Sequence, residues 1–298
     1  MSADSHLREP HQATTPLQLT VLGTGTSSGV PTIGCRCAVC NSDDPRDKRL
    51  RVSVLLRYAG RNVLIDTTPD FRQQALRAGI MRLDAVLYTH AHADHILGLD
   101  DVRPFNYFQK KDIPLYATDA TFEVIRRVFA YAFRESQSSV PKLQLNEIDG
   151  TPFDLFGAHV VPIRLEHGGG ECYGYRFGPV AYLTDHSRVP DESKELLQGL
   201  EVLFLDALRQ RPHPTHTTLD DAIELAEELK AGTTYFTHMC HDLGHAETEA
   251  HLPGNIRLAY DGLELRFALP VTVDGDEAVE SLEGASLEGA PREGASGQ

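Results

Sequence analysis

No apolar run in the 298-residue chain approaches the roughly 20 residues that a bilayer-crossing helix needs; 52–56 and 200–205 are the longest. The N-terminus also lacks the apolar core of a secretory signal, so a cytoplasmic protein without membrane contact is expected. Positive charge is scarce. Against 43 Asp and Glu stand 28 Lys and Arg, a formal charge of -15, which excludes a broad basic face for nucleic-acid backbones. Cysteine is too sparse and too unevenly placed for a disulfide framework, with five in all and three of them at Cys35, Cys37 and Cys40. Such crowding suits metal binding in a reducing compartment. What the chain does have is 41% hydrophobic residues, enough to bury one large core.

Residues 1–16 are polar and aperiodic, and 271–298 form a Glu-Gly-Ala near-repeat with seven acids and one base; both are expected to be flexible, flanking a single domain over 17–270. Strand-like runs at 17–22, 52–58 and 62–66, the last two joined by an Ala-Gly-Arg turn, read as hairpins. Further runs follow at 85–89, 114–117, 160–165, 172–177, 180–184, 202–206, 234–237, 257–260 and 263–267. Helical spacing appears at 70–78, 121–134 and 219–229, the last headed by Thr218 and Asp221 in capping positions. Hairpins early and strand-helix units late predict an α/β sandwich of two facing sheets with helices outside. Gly23, Gly25 and Gly29 lack dinucleotide-loop spacing and lead to Pro31 rather than a helix; they are read as letting backbone approach a metal pocket.

The most informative segment is Thr89-His90-Ala91-His92-Ala93-Asp94-His95, which leaves an apolar strand. Three imidazoles and a carboxylate this close would be undersatisfied without a cation. His90 and His92 can project together while Asp94 and His95 face a second point, so four ligands serve two metals. Imidazole with carboxylate suits zinc, manganese or iron. Two such ions about 3.5 to 4 Å apart can hold a hydroxide and polarise a substrate oxygen. Separately, the C-x-C-x2-C loop of Cys35, Cys37 and Cys40 leaves one tetrahedral position open, with Cys240 and His241 as candidates.

HAHADH and its flanks resemble the HxHxDH signature of the metallo-β-lactamase superfamily. The stretch from VLGTGTSSGVPTIGCRCAVC to THMCHD resembles the branch containing the phosphoribosyl cyclic phosphodiesterase of the carbon-phosphorus lyase pathway. That resemblance, over 17–268, implies a four-layer αββα sandwich. It implies that His90, His92 and His167 hold one divalent metal, that Asp94, His95 and His238 hold the other, and that Asp185 bridges them, with zinc or manganese as the ions. It implies a structural zinc on Cys35, Cys37, Cys40 and His241. His216, 22 residues before His238, is implied over the leaving group, with His213 as the weaker candidate; Asp94 and His216 are the expected catalytic residues.

The implied activity is hydrolysis of small or cyclic phosphodiesters, with a small-molecule substrate, no nucleic-acid partner, and a homodimer as the candidate assembly. Three alternatives stand beside it. A tRNA 3′-end-type endonuclease would share the ligands, but the chain has no Gly- and Lys-rich arm. An acyl-ester, lactone or thioester hydrolase would use the same nucleophile. A non-catalytic metal-dependent binding protein of the pyrroloquinoline quinone biosynthesis type would share the cysteine loop. Residues 100–152 are expected to shape the pocket, with Arg103, Phe105, Tyr107, Phe108, Lys110 and Lys111 either binding phosphate and a base or sugar, or forming a plain helix face. His159, His186, His245 and His251 are expected at the surface or behind the ligands, and Cys172 as an ordinary strand residue.

Overall fold

The structure is a computed structural model that describes residues 11–134 and 139–273. The expected N-terminal and C-terminal flexible segments lie outside these residues, apart from 11–16 and 271–273. Among the described residues no helix is long and apolar enough to cross a membrane.

The strands are β1 (His11–Gly23), β2 (Ser53–Tyr58), β3 (Arg61–Ile65), β4 (Ala85–Leu87), β5 (Ile113–Ala117), β6 (Leu143–Glu147), β7 (Phe153–Leu155), β8 (Ala158–His167), β9 (Gly170–Phe177), β10 (Val180–Tyr182), β11 (Val202–Asp206), β12 (Thr233–Thr237), β13 (Ile256–Leu258) and β14 (Glu264–Val273). The helices are α1 (Phe71–Arg77), α2 (Ala93–Ile96), α3 (Arg103–Gln109), α4 (Asp119–Val128), α5 (Asp191–Glu195), α6 (Leu219–Leu229) and α7 (His245–Glu249). Strand order runs β13-β12-β11-β10-β9-β8-β14-β1-β2-β3-β4-β5-β6, with β7 beside β8. Beyond the early hairpins, β3 to β6 and β10 to β13 are parallel. The two halves fold over one another through β14 and β1.

Alternation along each strand builds the layers. Val54 and Leu56 of β2, Val63 and Ile65 of β3, and Leu17, Leu19 and Val21 of β1 meet Tyr175, Phe177, Tyr182 and Phe204 in a central core. Their neighbours Leu55, Leu64 and Val86 face the other way, onto Phe71 of α1 and Phe122 and Ile125 of α4. In the second half Ala181, Leu183, Leu203 and Leu205 face Ala222, Ala226 and Leu229 of α6. A period of two on strands buried on both faces thus gives three cores between four layers, the αββα sandwich. The Thr218–Asp221 capping box forms at the start of α6.

Both domain boundaries shift. The first strand starts at His11, six residues before the expected start at 17, and β14 runs on to Val273, past 270; His11 pairs with Val273, Pro16 with Ala268. The residues are mostly polar, so no apolar alternation marks them, yet Ala13 and Thr15 turn inward beside Leu17 while the backbone pairs with β14. The helical reading over 121–134 splits into α4 and a short 3-10 turn, Ala130–Phe133.

Gly98 sets the turn after α2. A Cβ there would lie 2.0 Å from the Thr68 carbonyl oxygen, while the Gly98 N–H donates to Thr67 O at 2.9 Å. Gly98→Ala is expected to destabilise the fold by about 1–3 kcal/mol through overpacking, read as a lower urea midpoint at constant m-value. An unchanged midpoint would show that this turn does not constrain α2.

Candidate metal centre

The site lies at the ends of β3, β4, β8, β10, β11 and β12. Three of the residues entering it have left-handed backbone although they are not glycine: Asp66 (φ 65°), Asp185 (φ 55°) and His238 (φ 58°). That conformation costs about 1–3 kcal/mol per residue. It turns each side chain back over the strand end.

His90, His92, His167 and Asp185 offer donor atoms all within 4.8 Å of one another, and so do Asp94, His95, Asp185 and His238. Asp185 belongs to both sets. Its Oδ2 stands 3.8 Å from His90 Nε2, 3.3 Å from His95 Nε2 and 3.3 Å from His238 Nε2. Those three Nε2 atoms are buried and have no hydrogen-bond partner. Orphaned donors around one buried carboxylate fit a pair of cations. Burial, with the charge of His95 beside it, pushes His90 well below the usual imidazole range and leaves it neutral. For His238 burial acts downward too, but Asp185, Asp206 and Asp94 outweigh it and hold the imidazole up at about 10.

Partners behind the donors aim them. His167 Nδ1 donates to the Thr215 carbonyl at 2.9 Å. Asp66, fully buried, accepts from His95 Nδ1 at 2.7 Å and from the Thr89 backbone and hydroxyl at 2.9 and 2.8 Å. Asp206, also fully buried, accepts from His216 Nδ1 at 3.0 Å and stands 3.3 Å from His238 Nδ1. Burial alone would raise Asp206; the imidazoles of His216 and His238 hold it at about 2. The His216 ring packs against His167 (4.8 Å between centroids) and stacks on His238 (4.6 Å), touching a ligand from each set. His213 is one step further out, 5.1 Å from His216, with its Nδ1 taken up by Thr215.

Asp66 was not among the sequence-derived candidates. The signal was available: it ends an apolar strand just as Asp185 and Asp206 do. His186 is wholly buried beside Asp185, with both ring nitrogens unpartnered, and His245 is buried as well; His159 and His251 are exposed. Cys172 is more than a strand residue, since its thiol donates to the Asp185 carbonyl at 2.9 Å. The cleft in front of the histidines, about 640 Å³, takes Thr118, Ala120, Thr121 and Val124 from the 100–152 segment. Arg103, Phe105, Tyr107, Phe108, Lys110 and Lys111 do not line it. Arg103 bonds Asp100, Phe105 is buried, and Tyr107 and Phe108 are open to solvent.

The cysteine cluster forms apart from this site. The thiols of Cys35, Cys37 and Cys40 stand 3.2, 3.4 and 3.6 Å from His241 Nδ1. These are edges of a tetrahedron with ligand bonds of about 2.0–2.3 Å. The Cys40 N–H on Cys37 lowers that thiol to about 6, making it a thiolate at neutral pH, whereas burial pushes Cys40 up to about 11. Cys240 stays outside the cluster, its sulfur accepting from Asp242 N–H. Buried Arg49 braces the loop by donating to the Cys240 and Leu243 carbonyls and to Asp47. Gly23 and Gly25 do bring backbone together, but against Arg51, Leu50 and Met239 rather than the metal pocket. Cys35→Ser is expected to remove one metal ion per chain and about 2–4 kcal/mol of stability, the effect of a ligand at 100- to 1,000-fold excess over Kd. Elemental analysis and thermal melts check it; unchanged stoichiometry would dissolve the cluster as a metal site.

Residues 61–239, more than half of the chain, match the Beta-lactamase superfamily domain. A crystal structure described as a new diphosphatase from the PhnP family is 55% identical, with a TM-score of 0.82, covering 87% of this chain and 99% of that one. Zn(2+)-bound PqqB from Methylobacterium extorquens, 20% identical with a TM-score of 0.69 over 83% of this chain and 99% of that one, shares the fold. An octanoyltransferase from Porphyromonas gingivalis is 41% identical over 82% of this chain but only 50% of its own length, so the chain spans half of that relative. Matched over more than half its length by the superfamily domain, and over nearly all of a PhnP-family structure at this identity, the chain belongs to the β-lactamase superfamily, in its PhnP-family branch.

Proposed function

We propose that the chain is a two-metal hydrolase acting at phosphorus on small phosphodiesters, diphosphate linkages included. The observation that carries this is His216, held by the buried carboxylate of Asp206, edge-on to His167 and stacked on His238, one ligand from each donor set. The proposed ligands are His90, His92 and His167 for one ion, Asp94, His95 and His238 for the other, and Asp185 for both, with zinc or manganese as the ions; zinc is proposed at Cys35, Cys37, Cys40 and His241. Two bound cations supply activated water at neutral pH and Lewis-acid neutralisation of phosphoryl charge.

The chain's own residues do the rest. Asp206 accepts from His216 Nδ1 and so orients the ring, leaving Nε2 as the atom that gives a proton to the departing ester oxygen as the P–O bond breaks. Asp66 orients His95, and Thr215 orients His167. The PhnP-family structure described as a diphosphatase supports action at phosphorus. The name octanoyltransferase belongs to a protein of which this chain matches half, and carries no acyl substrate to it.

Asp185→Ala is expected to empty both active-site positions and abolish hydrolysis of bis(p-nitrophenyl) phosphate. His216→Ala is expected to keep the full metal content and lose about 10²–10⁴ in kcat. Elemental analysis beside kinetics decides it: equal metal loss in the two variants contradicts the assigned roles. Turnover confined to lactones and thioesters in a substrate panel replaces phosphorus by carbonyl carbon as the target.

A further inference from the structure

The hairpin joining β8 to β9 borders the metal cleft with backbone alone. His167 pairs with Gly170, which leaves Gly168 and Gly169 as a two-residue loop, and all three glycines are exposed and line the cleft. The hairpin requires only the first of them. Gly168 has left-handed backbone (φ 60°), and a Cβ there would stand 2.8 Å from Thr215 Cγ2. Gly169 and Gly170 have no such backbone. A Cβ on Gly169 would meet nothing within 4 Å, and one on Gly170 only the His167 carbonyl oxygen at 3.8 Å, an ordinary contact. Local structure would accept a side chain at either position, so the consequence of adding one falls on the cleft.

The position of this bare edge says which part of a substrate passes it. Buried His90, whose Nε2 has no partner, lines the cleft together with His92 and His167. Gly168 abuts Thr215, and the next residue, His216, packs on His167. In the reading above His216 serves the departing oxygen, so the glycine edge lies on the side of the departing group. The cleft holds about 640 Å³, with apolar surface from Ala120 and Val124. That lies within the roughly 300–1,000 Å³ of sites that enclose whole organic ligands, well beyond what a phosphate alone fills.

We propose that Gly169 is a specificity-determining residue: the bare edge of the β8–β9 hairpin admits diesters whose departing half is a nucleoside or a body of similar size, and a large side chain there restricts turnover to small diesters. The proposal rests on the phosphodiesterase reading above.

The test compares two substrates with the same five-membered cyclic phosphate, adenosine 2′,3′-cyclic phosphate and ethylene phosphate, on the metal-loaded full chain. The unaltered chain is expected to favour the adenosine compound by about tenfold in kcat/KM, and Gly169→Trp to lower that ratio by about tenfold through steric exclusion of the nucleoside. Gly254→Trp makes the same change at an exposed glycine that also has open space for a Cβ but does not line the cleft, and should leave the ratio where it was. Calorimetry supplies a readout independent of turnover: Gly169→Trp is expected to weaken adenosine 3′-monophosphate by about tenfold relative to inorganic phosphate. A preference for ethylene phosphate in the unaltered chain, a Gly169→Trp ratio no different from that of Gly254→Trp, parallel loss of both substrates, or an unchanged or undetectable nucleotide affinity would overturn the proposal. Failure of the underlying reading looks different: the unaltered chain would hydrolyse neither cyclic phosphate nor bis(p-nitrophenyl) phosphate, and the two affinities would then decide the role of Gly169.

Discussion

Three carboxylates, Asp66, Asp185 and Asp206, are taken almost entirely out of water at neighbouring strand ends. Each would cost several kcal/mol if left unbalanced in so dry a setting. The surroundings answer this with imidazoles: His95 against Asp66, His90, His95 and His238 around Asp185, and His216 and His238 against Asp206. The polar architecture of the molecule follows from that balance. A histidine pinned by a carboxylate at Nδ1 has one free nitrogen and one orientation, the condition for a precise metal ligand or proton donor. Asp185, touched on several sides, is the point where the two donor sets merge.

The fold makes this concentration of charge tolerable. Strands buried on both faces supply a rigid floor, and the strained backbone at Asp66, Asp185 and His238 is held in place by the packing beneath it. The cysteine cluster extends the same floor. Met239 lies between His238 of the main site and the segment carrying His241, and its backbone pairs with Thr24 and Thr26 of the loop leading to the cysteines. A cation at the cysteines, as proposed above, would tie the N-terminal loop to the strand end that delivers His238.

The cleft is walled by two kinds of element. The histidines and carboxylates of the two donor sets sit at strand ends of both halves of the sandwich, whereas Thr118, Val124, Glu171 and Tyr173 come from a helix start and a hairpin strand. The second set can change its chemistry without disturbing the first.

The local spacing of His90, His92, Asp94 and His95, the cysteine loop, the alternating strands and the α6 cap were legible in the linear chain, because each depends on residues within a turn or two of one another. His167, Asp185 and His238 could be placed because they end apolar strands in an order that resembles a known family, and His241 because it stands three residues after His238, as that family's pattern implies. Other features were decided only by the tertiary structure. Asp66 and Asp206 became partners of His95 and His216 because separate strands end side by side; residues 11–16 became strand because Val273 and its neighbours lie alongside them; and Arg103, Lys110 and Lys111 do not line the cleft. Local pattern determines which side chains can bear chemistry and which face of an element is apolar. Which of those side chains share a desolvated space depends on long-range packing, and no short-range periodicity records it.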